Sequence, residues 1–146
     1  IGKVRERKIY INVVYDNKRD FMNALTTKIE ETFKETIKMG KWEDFFGYLS
    51  ERSENEKVLL VLDEFQRIDN FAKDFIFNLQ DSWDNSLKNK KIMIIICGSS
   101  MSMMHKLALE EKGPLYGRKT FSYPLKQFRY IDLREMFKEK TDEGVS

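Results

Sequence analysis

The stretch KVLLVLDEFQ, residues 57–66, decides the fold of this chain. Its five consecutive apolar residues, 58–62, are typical of a strand covered on both faces of a sheet, and they are too few to span a membrane. Asp63 and Glu64 follow directly, at the carboxyl edge where open α/β sheets bind ligands. Two carboxylates there suit a divalent cation and a water that must lose a proton. The plain alternative is a core strand whose exposed end is acidic.

The composition of the 146 residues predicts one globular domain, residues 1–146. Hydrophobic residues make up 41% of the chain, and the net charge of +2 gives no electrostatic argument for nucleic acid or an acidic membrane. We find no signal peptide and no membrane-spanning run. A single cysteine excludes an internal disulfide and fits a reducing compartment, so we predict a cytoplasmic protein.

Strands alternate with helices on both sides of the central stretch, which predicts an α/β fold with a mostly parallel sheet. The β-branched and aromatic run at 9–15 predicts a strand that does not begin before Ile9. The apolar run at 92–97 predicts a strand in the middle of the sheet. The remaining predictions are helices at 20–38 (closed by Gly40), 42–49, 70–83, 101–111 and 130–140, and a short strand at 120–125.

Small polar residues follow the predicted strand at 92–97. Gly98, Ser99 and Ser100 come where that strand ends, so they fall at the same sheet edge as Asp63. Cys97 ends the strand itself and is more typical of an inert core residue than of a nucleophile.

Three segments in this order resemble a known family: LLVLDEFQ at 59–66, IMIIICGSSMSMM at 92–104 and PLYGRKTFSYPLKQF at 114–128. They are similar to the archaeal-type ATPases of the STAND/AAA-like P-loop class, in which the Asp-Glu pair is the Walker B motif. The resemblance covers most of the chain. It implies a three-layer α/β sandwich and the cofactors ATP and Mg²⁺.

The resemblance also implies roles for individual residues. Asp63 would hold Mg²⁺, and Glu64 would be the base that activates water. Ser99 or Ser100 would occupy the position that reads the γ-phosphate, because a polar group must lie near the transferred phosphoryl group. Arg118 falls where such proteins often carry an arginine finger, which neutralises charge in the transition state.

One element of the family is missing from the sequence. The phosphate-binding motif G-x-x-x-x-G-K-[ST] does not occur, and in the segment IGKV at 1–4 a valine replaces the hydroxyl residue. The chain therefore looks like an ATPase core that lacks the Walker A strand and loop. The family's strand order, 5-1-4-3-2, places the missing strand beside residues 92–97. We expect that edge to be unfilled, repacked or completed by another segment.

Two other functions fit parts of the pattern. The sequence Asp-Glu-Phe-Gln also resembles motif II of superfamily 1 helicases, although the Gly-Asp that follows in those enzymes is Gly98-Ser99 here. A non-catalytic interaction domain with the same fold, binding a protein partner or a second copy, would need no phosphate loop. Nucleic acid binding by the basic residues near Arg118 has little support, since the total charge is nearly neutral.

Overall fold

The computed structural model describes residues 5–122, which form a three-stranded parallel sheet with helices packed against it. The α/β class and the parallel sheet predicted from the sequence are confirmed. In chain order the elements are β1 (Glu6–Asn12), α1 (Lys18–Phe33), α2 (Trp42–Arg52), β2 (Lys57–Asp63), a 3₁₀ turn (Phe65–Arg67), α3 (Ile68–Phe71), α4 (Lys73–Asn85), a second 3₁₀ turn (Leu87–Asn89), β3 (Ile92–Ile96) and α5 (Met101–Ala108).

The strands lie in the order β1-β2-β3, with β2 between its two neighbours. The register pairs Asn12 of β1 with Asp63 of β2, and Leu62 of β2 with Ile96 of β3. All three strands run in the same direction, so their carboxyl ends meet at one edge of the sheet. This register brings the residues that follow β2 and β3 together.

The hydrophobic core lies on one face of the sheet. Alternate residues of β1 and β2 point into it and are almost fully buried, among them Ile9 and Leu60. Phe75 of α4 is the centre of its aromatic cluster, with ring centroids 5.0 Å from Phe21, 5.3 Å from Trp42 and 5.1 Å from Phe46. Tilted and edge-to-face contacts at such distances add to the burial of the rings. The helices that bury these aromatic residues hold β2 in place beneath them.

The opposite face of the sheet is open in the part of the chain that the structure describes. Tyr10, Met93 and Ile95 point to that side and are 51%, 63% and 41% exposed. Within residues 5–122, β3 is an edge strand rather than the central strand that its apolar run predicts. The second helical layer of the expected three-layer sandwich is not found among these residues.

Two boundaries near the amino terminus differ from the prediction. β1 begins at Glu6 rather than Ile9, because its backbone pairs with Lys57 onward whatever the polarity of its side chains. Helix α1 ends at Phe33, and Gly40 does not close it. Lys34 takes a left-handed conformation (φ 56°), and its N–H bonds to the carbonyl of Glu30.

Further along, the helix predicted at 70–83 is interrupted. Ala72 has a non-helical backbone (φ −145°, ψ 60°) and separates α3 from α4. Helix α5 stops at Ala108, three residues short of the predicted end at Glu111. Residues 120–122 carry no strand. The rest of the strand predicted at 120–125 and the helix at 130–140 lie outside the described residues.

Candidate functional site

The ends of β2 and β3 are joined by backbone hydrogen bonds at the carboxyl edge. The N–H of Cys97 donates to the carbonyl of Leu62 at 3.1 Å, and the N–H of Phe65 donates to the carbonyl of Cys97 at 2.9 Å. This ladder continues past the strands themselves. It holds Asp63 and Glu64 against the segment that contains Ser99, which brings together three of the residues predicted to form the site.

Glu64 is held by three hydrogen bonds. Its Oε1 accepts from the backbone N–H of Ser99 at 3.2 Å, and its Oε2 accepts from the Ser99 hydroxyl at 3.0 Å and from Gln66 Nε2 at 2.9 Å. A carboxylate has about four acceptor positions, so one remains for a further donor such as water. The backbone of Glu64 is left-handed (φ 55°, ψ 40°), a conformation that non-glycine residues rarely adopt and that is frequent at functional sites.

Asp63 accepts hydrogen bonds on both carboxylate oxygens. The hydroxyl of Tyr10 donates to Oδ2 at 2.5 Å, while Oδ1 accepts from the N–H of Glu64 at 2.9 Å and from the thiol of Cys97 at 3.4 Å. The Tyr10 hydroxyl is the main reason why the pKa of Asp63 lies below its ordinary value. The same bond raises the pKa of Tyr10. Asp63 is therefore ionised at neutral pH, as a cation ligand must be.

The thiol of Cys97 lies beside Asp63 but is not a nucleophile at neutral pH. Burial, followed by the hydrogen bond and charge of Asp63, raises the pKa of Cys97 to about 11. Because the thiolate is the reactive form, a protonated thiol of this kind is chemically inert near neutral pH.

The two serines that the sequence left as alternatives have different contacts. Ser99 donates to Glu64, whereas the hydroxyl of Ser100 accepts from the N–H of Met103 at 3.4 Å and caps the first turn of α5. Of the pair, Ser99 is the one that faces the carboxylates.

Arg118 is held on a different part of the surface. Its Nε and Nη2 donate to the carboxylate of Asp84 at 2.9 and 2.7 Å, and its Nη1 donates to the carbonyls of Pro114 and Tyr116. Asp84 ends up with a lowered pKa because of this pairing. The structure does not bring Arg118 to Asp63 or Glu64, and its role as an arginine finger stays a prediction.

The oxygen atoms at this edge suit Mg²⁺, which needs few protein ligands, better than a metal that the protein alone must coordinate. In residues 5–122 no group of three or more His, Cys, Asp or Glu residues could hold a metal ion. Mg²⁺ usually takes one or two carboxylates and completes its shell with water and phosphate oxygens. Asp63 offers one carboxylate of the kind that Mg²⁺ takes, and Glu64 stands beside it.

Two residues that contact the carboxylates were missed by sequence reasoning: Tyr10 and Gln66. Alternation along β1 puts Tyr10 on the face away from the core, but only the register between β1 and β2 reveals that it reaches Asp63. Gln66 was noted only as a helicase-like residue. The sequence signal for Gln66 is a polar residue directly after the apolar Phe65. In the structure both side chains are buried.

Comparison with known proteins gives a clear relationship. Residues 2–145 match the family described as an ATPase domain predominantly from Archaea. An uncharacterised protein of Methanocaldococcus jannaschii is 33% identical over 133 residues, covering 91% of this chain and 28% of that protein. A second uncharacterised protein from the same organism is 39% identical over 62 residues, covering 42% of this chain and 60% of that protein. This chain thus spans well under half of the first relative's length. None of the helices within residues 5–122 is long and apolar enough to cross a membrane.

Solved structures support the fold. The Walker-type ATPase of Pyrococcus abyssi superposes with a TM-score of 0.67 at 19% identity, covering 94% of this chain and 47% of that one. The Aeropyrum pernix ORC2 protein, solved in ADPNP–ADP complexes, gives a TM-score of 0.52 at 19% identity, covering 70% of this chain and 28% of that one. At these identities the likeness shows an ATPase-type α/β fold. Together with the family match, it means that this chain belongs to the family of ATPase domains found predominantly in Archaea.

Proposed function

We propose that this chain forms the water-activating half of an ATP-hydrolysing site. One observation carries the proposal. The Glu64 carboxylate is fixed by three donors with one acceptor position left, and it stands beside an Asp63 carboxylate whose pKa is lowered. A fixed base next to an anionic cation ligand, at the carboxyl edge of a parallel sheet, is the arrangement that phosphoryl transfer to water needs.

Each residue has a distinct task in this mechanism. Asp63 would hold the cation, which would supply positive charge beside the nucleotide phosphates. Glu64 uses its remaining acceptor position to bind water and takes a proton from it as the water oxygen bonds to the γ-phosphorus. The bond from that phosphorus to the bridging oxygen breaks, and ADP leaves. Ser99 keeps Glu64 aligned through two bonds, and its exposed hydroxyl is the candidate group for reading the γ-phosphate. Since a hydroxyl has one O–H, it donates to the phosphate only by turning away from Glu64, and the backbone N–H then keeps the bond to Oε1.

The phosphate-binding loop is proposed to come from outside these 146 residues. The sequence contains no G-x-x-x-x-G-K-[ST] motif, and the chain spans only 28% of its Methanocaldococcus jannaschii relative and 47% of the Pyrococcus abyssi ATPase. In the longer protein that supplies this loop, Arg118 remains the candidate for an arginine finger.

The test is the Glu64→Gln variant in that longer protein. The amide retains the size of the side chain but cannot take a proton, so ATP affinity should stay within about twofold while hydrolysis falls by about 10²- to 10⁴-fold. Glu111→Gln on the exposed surface is the matched control and should leave both unchanged. If Glu64→Gln hydrolyses ATP at the normal rate, Glu64 is not the base.

A second candidate is a non-catalytic interaction domain with the same fold. The absence of the phosphate-binding motif from the sequence favours it. The two candidates differ in one measurable property, since an interaction domain would not bind Mg-ATP even in the longer protein.

A further inference from the structure

Gln66 is a buried polar residue whose burial the core does not explain. In the described part of the chain the buried polar residues are Ser53 and Gln66. The Ser53 hydroxyl is satisfied, because it donates to the carbonyl of Leu49 at 2.6 Å. Gln66 is 5% exposed, and its Oε1 has no hydrogen-bond donor. A buried acceptor without a donor lowers stability, so packing alone would favour an apolar side chain at this position.

The orientation of the Gln66 amide is set by Glu64. Nε2 donates to Oε2 of Glu64 at 2.9 Å. If the amide were turned over, Oε1 would face the carboxylate, and two acceptors would repel each other. The bond to Glu64 therefore fixes which end of the amide points toward the site, and it leaves Oε1 without a partner on the other side.

Gly98 leaves the space that this amide occupies. A Cβ atom on Gly98 would lie 2.1 Å from Oε1 of Gln66 and 2.9 Å from two atoms of Met104. Any other residue at position 98 would have to displace the Gln66 side chain. Gln66 is thus enclosed between the end of β3 and α5, with its one satisfied polar group directed at Glu64.

We propose that Gln66 is a positioning residue for Glu64. Together with Ser99, it holds the carboxylate so that the remaining acceptor position faces the incoming water. The consequence for catalysis rests on the function proposed above, whereas the contact itself can be tested without nucleotide.

The first test compares the Gln66 side-chain amide by NMR in the 146-residue chain and in Glu64→Ala at one pH. Glu64→Ala removes the acceptor of the bond from Nε2, so the amide protons of Gln66 should shift upfield and exchange faster with water. Glu111→Ala, at an exposed position, is the matched control and should leave them unchanged. Gln66 amide signals that are the same in wild type and Glu64→Ala would overturn the proposal.

The second test separates positioning from packing with Gln66→Met, which keeps the length of the side chain and removes both polar atoms. The melting temperature should not fall, because the unpaired acceptor is gone. In the longer protein kcat should fall by about 10- to 100-fold, with KM for ATP within about twofold, because the base is no longer aligned. Gln80→Met, at a partly exposed position of α4, is the matched control and should change neither quantity.

The outcomes are distinguishable. A lower melting temperature with unchanged kcat, or equal losses of stability and activity, would assign Gln66 a structural role and overturn the proposal. If the wild-type protein neither binds nor hydrolyses Mg-ATP, the proposed function fails. The NMR comparison of wild type with Glu64→Ala then decides by itself whether Gln66 holds Glu64.

Discussion

Ser99 donates twice to the carboxylate of Glu64, once from its backbone N–H at 3.2 Å and once from its hydroxyl at 3.0 Å. The two residues follow neighbouring strands, so these bonds connect the end of β2 to the segment after β3. Glu64 also has a left-handed backbone, and its side chain is bound by the segment that follows β3. The position of the proposed base therefore depends on both strands.

Removing the hydroxyl of Ser99 should affect hydrolysis more than stability. Ser99→Ala retains the backbone N–H bond but frees one side of Glu64, and we expect a loss of about 10-fold or more in ATP hydrolysis by the longer protein. Ser100→Ala is the matched control. It removes the helix cap of α5 and should lower the free energy of unfolding by about 1 kcal/mol with little change in hydrolysis. Equal effects of both changes on hydrolysis would contradict the distinction between the serines.

Replacing Tyr10 by phenylalanine should raise the pKa of Asp63. The Tyr10 hydroxyl is the main cause of the lowered pKa, so Tyr10→Phe moves it back toward its ordinary value. A carboxyl with a lowered pKa stabilises the fold above its unfolded-state pKa, and this contribution disappears as the pH falls through the folded-state pKa. In Tyr10→Phe the contribution should be smaller, and its loss on acidification should be complete at a higher pH, because the folded-state pKa moves toward the unfolded-state value.

Carbon-13 NMR of the Asp63 carboxyl measures the change directly. Tyr116→Phe, at an exposed tyrosine, serves as the control and should leave the Asp63 titration where it is. If the titration midpoint of Asp63 is the same in Tyr10→Phe, the hydrogen bond from Tyr10 does not control the pKa of Asp63.

Replacing each of two glycines by alanine should change the free energy of unfolding in opposite directions. Gly98→Ala brings a methyl group against Gln66 and Met104, and we expect a loss of about 1–3 kcal/mol in the free energy of unfolding. Gly47 lies within α2 with nothing within 4 Å of an added Cβ, so Gly47→Ala should stabilise the protein by about 0.5–1 kcal/mol.

The clash at Gly98 can be assigned to Gln66 by a double-mutant cycle measured by denaturant unfolding. Gln66→Ala should recover part of the stability lost in Gly98→Ala, since the amide that the methyl group meets is gone. Strict additivity of the two changes would show that the two residues do not share this space.

The ion pair between Arg118 and Asp84 should contribute little to the free energy of unfolding. Their side chains are 28% and 43% exposed, and solvent screens such pairs, so a double-mutant cycle should give a coupling of about 0.5–1 kcal/mol. An arginine finger would add a separate effect, a large loss of ATP hydrolysis in Arg118→Ala that Asp84→Ala does not share. Equal activity losses in both variants would speak against a finger.

Sequence patterns predicted which segments are strands better than they predicted what packs against each strand. The apolar runs at 58–62 and 92–96 proved to be strands because β-branched and aliphatic residues in short runs suit a buried sheet. The exposed Met93 shows the limit of that reasoning, because an apolar run does not say which side of the sheet is covered within residues 5–122.

Which residues meet at the carboxyl edge could be predicted only where they are adjacent along the chain or follow neighbouring strands. Asp63, Glu64 and Ser99 fell into that class, because parallel strands end at one edge. Tyr10 and Gln66 did not, since their roles depend on the register between strands and on the space beside a glycine. Neither quantity can be obtained from spacing along the sequence.

The measurement that tests the central claim most directly is a calorimetric titration of the longer protein with Mg-ATP, with Asp63→Ala as the control. We predict binding that weakens by at least about 10-fold in Asp63→Ala and likewise when Mg²⁺ is withheld from the wild type, because Asp63 is the proposed ligand of the cation. Binding of equal strength in both proteins, or no binding at all, would contradict the assignment of this edge as a nucleotide site.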